Sequence, residues 1–196
     1  MDLKEAYRSL DPARPLEPDS TFYVARPGNP VSSIITELRL TDMPRRYLLT
    51  GHRGAGKTTE LHRIAHELSD EYEIETISAE GDLVSVIRRI EQANPGRTLY
   101  LIDGVDKFDF HESDLSLNQF GYLIDALHQQ QISAICTIPL AFALSGAFGS
   151  ILQTIDQLCF LPSINIRAQN GESIPQTGGG VEKSLSDERI YSATPL

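Results

Sequence analysis

The stretch "YLLTGHRGAGKTTEL", Tyr47 to Leu61, decides the fold. It opens on apolar residues, turns through glycine, and closes on a lysine and two threonines that begin an amphipathic run. Gly51, His52, Arg53, Gly54, Ala55, Gly56, Lys57 and Thr58 fit the spacing G-x-x-x-x-G-K-[ST]. Glycines permit positive φ and bring backbone N–H groups close to an anion with no Cβ in the way. A helix starting near Lys57 points the positive end of its dipole at the same anion. The Lys57 ammonium reaches β- and γ-phosphates, and the Thr58 hydroxyl is placed to ligate Mg2+. The segment therefore reads as a phosphate cradle, with Thr59 counted among its binding residues. His52 reads as a loop residue rather than a ligand or base. Arg53 fits a phosphate contact and a solvated charge equally well.

Outward from the loop, helices and strands alternate. "VSSIITELRL" precedes it with apolar residues at helical spacing and is closed by Pro44. "RYLLT" is a short apolar strand, and "GKTTELHRIAHELS" carries Leu61, Ile64, Ala65 and Leu68 on one helical face. "YEIETISA" alternates at period two, "DLVSVIRRIEQA" is amphipathic, and "TLYLID" is a continuous apolar run suited to a strand buried on both faces. "SLNQFGYLIDALHQQ" predicts a helix and "ISAICTI" a buried strand. "LAFALSGAFGSILQTIDQL" predicts a helix with a glycine break, and "CFLPSINI" a last strand. Alternation of this kind implies right-handed crossovers and an α/β fold with a mostly parallel sheet.

A triphosphate site needs an acid near its metal. "TLYLID" ends in Asp103, four apolar residues and then a carboxylate, as expected where a strand's C-terminal end meets a ligand crevice. Asp103 would hold Mg2+ opposite Thr58. Gly104 allows a sharp turn that could return Asp106 toward the γ-phosphate as a water-activating carboxylate; the alternative is a surface aspartate paired with Lys107. The strand "ISAICTI" ends near Thr137, placed to sense the γ-phosphate or position a water, or else an ordinary β-branched strand residue.

Twenty-seven acidic against seventeen basic residues give a net charge of −10, which weighs against nucleic acid and anionic membrane as partners. Cys136 and Cys159 lie far apart in apolar surroundings and read as two buried thiols, not as a disulfide framework or a metal pair. The N-terminus lacks the apolar segment of a signal peptide, and no apolar run is long enough to span a bilayer; a cytoplasmic location is the expectation. Residues 1–20 read as a short helix, "LKEAYRSL", and a proline-punctuated connector. Residues 21–166 read as the phosphate-binding domain, and 167–196 as a polar, Gly-rich tail or truncated linker.

"LLTGHRGAGKTTEL", "LYLIDGVDKF" and "ICTIPLAF" resemble bacterial AAA+/STAND-type P-loop ATPases of the ASCE branch, over about Thr21 to Ile166. The resemblance implies a three-layer sandwich with a five-stranded sheet of order 5-1-4-3-2, the extra strand lying between the loop strand and the acid strand. It implies ATP rather than GTP, "FYVARPGNP" against the adenine, and work as a homo-oligomer or with a partner protein, several members acting in signalling or phage defence. Lys57, Asp103, Asp106 and Thr137, read from their motif and strand-end positions, are the catalytic candidates. Two departures stand out. Gly104 replaces the glutamate that AAA+ members carry after the strand aspartate, displacing the acid to Asp106 in a form closer to the STAND type. Nothing after Ile166 resembles a helical lid. A nucleotide-dependent ATPase switch is the leading reading. A non-catalytic nucleotide-binding interaction protein is the alternative, and a small-molecule kinase ranks third because "GVDKFDFHESDLSLNQF" has no arginine for a phosphate lid.

Overall fold

The computed structural model describes residues 15–17, 20, 23, 26, 28–79, 82–93, 96–108 and 114–163. The expectations of an N-terminal helix "LKEAYRSL" and of a polar tail from 167 on fall outside the described residues.

The first helix, α1 (Pro30–Leu40), begins where the Asn29 side chain accepts from the Val31 N–H and Pro30 sets the first helical φ. Its stripe of Val31, Ile34, Ile35 and Leu38 is buried. Then come β1 (Arg46–Thr50), α2 (Lys57–Leu68), β2 (Glu73–Ser78), α3 (Leu83–Glu91), β3 (Thr98–Asp103), a short 3-10 turn (Val105–Lys107), α4 (Asp114–Gln129) and β4 (Ser133–Thr137). A single turn α5 (Leu140–Ala143), a 3-10 stretch (Gly146–Gln153) and β5 (Gln157–Phe160) follow. The sheet order is β2-β3-β4-β1-β5, which read from the other edge is the predicted 5-1-4-3-2. Every strand pair is parallel.

Period-two alternation in the strands builds a core on each face of the sheet. Leu48, Tyr100, Ile102, Ala134 and Cys136 pack with Leu83, Val86 and Ile90 of α3 and with Phe120, Leu123 and Leu127 of α4. Tyr47, Leu49, Leu99, Leu101, Ile135 and Cys159 pack with α1 and with Leu61, Ile64 and Leu68 of α2. Both cysteines are buried and free. Burial pushes the Cys136 thiol up to about 12 and the Cys159 thiol up to about 11. Among the described residues no helix is long and apolar enough to cross a membrane.

One stretch departs from expectation. Leu140 to Leu158 was expected to be helical with one break, but only the turn at Leu140–Ala143 is α-helical, and 3-10 geometry takes over at Gly146. The segment is apolar enough to be buried, but Gly146 and Gly149 weaken its helix, and Phe142, Phe148 and Ile151 reach the core without one. The last strand starts at Gln157 rather than Cys159 and ends at Phe160, shorter than "CFLPSINI". Leu161 N still donates to Thr50 O, but Pro162 has no N–H to continue the ladder.

Candidate phosphate-binding site

The loop leaves the C-terminal end of β1, between β4 and β5. Gly51 is obligatory by close approach: a Cβ there would lie 2.6 Å from the Leu161 carbonyl oxygen. Gly56, the residue before α2, has φ +81°, and a Cβ on it would lie 2.8 Å from Arg26 Nη2. Ala55 N donates to His52 O at 3.0 Å and tightens the turn. His52 is exposed, its ring edge-on to Phe160 with centroids 6.3 Å apart. Arg53 and Gly54 are exposed as well, whereas Ala55 is buried.

Lys57 is buried, at 7 % exposure, and turned into its own loop. Its ammonium donates to Gly51 O at 3.1 Å and His52 O at 3.2 Å, and pairs with Asp106 Oδ2 at 3.0 Å. An ammonium has three donors, so these contacts use all of them. Asp106 is therefore seated on the loop lysine; its sequence alternatives were a water-activating carboxylate and a surface pair with Lys107.

Thr58, Asp103 and Thr137 converge from three elements. Thr58 Oγ1 donates to Asp103 Oδ2 at 2.7 Å. Thr137 Oγ1 donates to Asp103 Oδ1 at 3.1 Å, and Gly104 N donates to the same oxygen at 2.9 Å and to Thr137 Oγ1 at 3.1 Å. The register explains the meeting. β4 lies between β1 and β3, with Leu49 opposite Thr137 and Ile102 opposite Cys136, so the strand ends finish side by side. Gly104, at φ +85°, turns its N–H back onto them. Thr137 is fully buried, with its hydroxyl committed to Asp103.

These groups suit a magnesium nucleotide. Among the described residues no cluster of three His, Cys, Asp or Glu side chains exists. Mg2+ bound to a phosphate chain needs no such cluster, because one or two protein oxygens, phosphate oxygens and water complete its shell. Thr58 and Asp103, in direct contact, are the two that would hold it.

Sequence reading missed a second polar group on α2. Glu60 is fully buried. It accepts from the Tyr23 hydroxyl at 3.2 Å and from Asn29 Nδ2 at 3.1 Å, and pairs with Arg63 Nε at 3.1 Å and Arg26 Nε at 3.9 Å. Arg63 also lies over the Tyr23 ring, 5.5 Å from its centroid. Burial first, and then the Glu60 charge, raise the Tyr23 hydroxyl above its ordinary value and keep it a donor. The available signal was spacing: Glu60, Ile64 and Leu68 share one face, so the acid stands in the apolar stripe.

No protein-family model and no curated protein matches the sequence. Among solved structures, the chain is similar to a DNA replication initiation factor, with a TM-score of 0.50 and 17 % identity over 74 % of this chain and 50 % of that one. AMPPCP-bound DnaA from Aquifex aeolicus gives 0.48 and 16 %, over 71 % and 48 %. RuvB from Thermotoga maritima gives 0.47 and 16 %, over 72 % and 45 %. The chain spans about half the length of these proteins. The fold is that of the AAA+ P-loop ATPases.

Proposed function

We propose that the chain binds ATP with Mg2+ and hydrolyses it slowly, as a nucleotide-dependent switch working as a homo-oligomer or on a partner protein in the cytoplasm. A bacterial signalling or defence setting suits such a switch. The observation that carries the reading is the Thr58–Asp103 contact at 2.7 Å, which puts the loop hydroxyl and the strand carboxylate at one point beside Lys57. Gly51 to Thr59 supply the amide cradle and the helix N-terminus. Lys57 exchanges Asp106 for phosphate oxygen. When bound, Mg2+ supplies charge neutralisation across the phosphates. Thr137 and the Gly104 N–H hold Asp103 in orientation, so Thr137 senses the site through that carboxylate. Asp106, released from Lys57, is the candidate to orient water. The net charge of −10 weighs against DNA as the partner.

A second reading, a nucleotide-binding protein without turnover, is favoured by one observation: Asp106 is spent on Lys57, and Gly104 stands beside Asp103 where a glutamate could have served. Phosphate release from ATP under single-turnover conditions separates the two. The switch reading expects Mg2+-dependent release that Asp103→Asn abolishes. Release that survives Asp103→Asn with its metal dependence intact removes Asp103 from the metal. Tight ATP binding without release, alone and with added partner, leaves the second reading.

A further inference from the structure

We propose that His62 and His66 form a binding site for one divalent transition-metal ion of the zinc, nickel and copper class, on the outer face of α2. The inference lies outside the ATP-site reading and does not depend on it. The two histidines stand four positions apart within one α-helix, so they lie one above the other on adjacent turns, with Cβ atoms about 5–6 Å apart. That spacing lets two imidazoles reach one ion at the Zn–N distance of about 2.0–2.1 Å, as a histidine pair at i and i+4 does on zinc-binding helices. The face is open. α2 turns Leu61, Ile64 and Leu68 into the core; His66, on the opposite side, is exposed, and His62 is partly so.

Neither imidazole is spent on the protein. Among the described residues the two rings make no hydrogen bond, ion pair or ring contact. The charged neighbours Arg63 and Glu67 are committed elsewhere, Arg63 to Glu60 at 3.1 Å and to Glu67 at 3.7 Å. Helix stability does not account for the pair, because at solvent positions Lys, Glu and Gln are better helix formers than histidine. Coordination accounts for both the residue type and the spacing. Neutral imidazole is a ligand for Zn2+, Ni2+ and Cu2+, whereas Mg2+ takes oxygen, so this pair and the Thr58–Asp103 contact suit different ions. No third His, Cys, Asp or Glu joins the pair among the described residues. The protein therefore supplies two ligands and water the rest, which makes the ion exchangeable rather than a permanent part of the fold. An ion clipped across adjacent turns braces α2, the helix that starts at Lys57.

The test is calorimetry of Zn2+ into the full chain, without nucleotide, with and without excess Mg2+, which competes at oxygen sites and leaves imidazole alone. Wild type is expected to bind one Zn2+ per chain at the same affinity in both conditions, and to melt higher with Zn2+ present. His62→Gln and His66→Gln are each expected to weaken binding by at least about tenfold and to remove the melting shift. Glutamine is at least as good a helix former as histidine, so both variants keep α2. His128→Gln, on α4, is expected to stay within about twofold of wild type. Zn2+ displaced by excess Mg2+ would place the ion on oxygen ligands and overturn the proposal. Loss in only one of the two α2 variants would leave a single histidine with some other partner and overturn it as well, as would no saturable binding by wild type. Failure here leaves the ATP-site reading standing, since no phosphate ligand enters the experiment.

Discussion

Lys57 is the residue on which the site turns, because its charge is buried and fully partnered before any phosphate arrives. A buried ammonium is tolerable only with acceptors around it, and Gly51 O, His52 O and Asp106 Oδ2 provide them. Phosphate must then compete with Asp106. Asp106→Asn should tighten ATP binding by about fivefold, since a charge-assisted partner is exchanged for a neutral one. If Asp106 also orients water after leaving Lys57, turnover should fall by about a hundred- to ten-thousandfold in the same variant. Equilibrium titration and single-turnover rates read the two effects separately; unchanged affinity would show that the pair does not hold the loop closed. The lysine, the Thr58 hydroxyl and Asp103 were legible in the sequence, since each occupies a fixed place in a motif or at a strand end. The Lys57–Asp106 pair was not. It depends on where a 3-10 turn returns a side chain, and the neighbouring Lys107 offered an equally plausible partner in one dimension.

At the scale of elements, legibility followed periodicity. Strands β1 to β4 and helices α1 to α4 were readable because burial leaves an apolar period, or on the doubly covered strands a continuous apolar run, in the sequence. Leu140 to Leu158 was not, because an apolar run interrupted by Gly146 and Gly149 satisfies helix and 3-10 packing alike. The start of α2 shows the converse, a local geometry that only one residue type allows. Gly56 is left-handed and lies under Arg26. Gly56→Ala should lower stability by about 1–2 kcal/mol from the backbone conformation alone, and by more where Arg26 cannot move aside. Chemical denaturation measures this; a change below about 0.5 kcal/mol would mean that the loop relaxes freely.

For the whole molecule, the two-faced sheet leaves Cys136 and Cys159 shielded on opposite sides of it. Thiols held at about 12 and about 11 remain protonated at neutral pH in the folded chain. An alkylating reagent near pH 8 should therefore label neither until denaturant is added, and rapid labelling of the native protein would contradict the packing. The sign of the pH dependence follows. An unfolded thiol ionises near 8.5, so between about 8.5 and these raised values the unfolded state binds fewer protons and stability falls as pH rises. Below about 8.5 the thiol contribution is fully present. The sheet order was expected from a resemblance carried by three short motifs; the contacts of Tyr23, Arg26 and Asn29 with Glu60 were not legible, because they join residues far apart in sequence and carry no period.

Titration of ATP and Mg2+ into the wild-type chain and into Lys57→Ala, followed by calorimetry, tests the nucleotide site most directly. Wild type should bind one ATP per chain, and Lys57→Ala, still folded by its melting curve, should bind at least about a hundredfold more weakly, because the charge facing the β- and γ-phosphates is gone. Equal affinity in the two proteins, or no binding by wild type, would contradict the assignment of Gly51 to Thr59 as a nucleotide site.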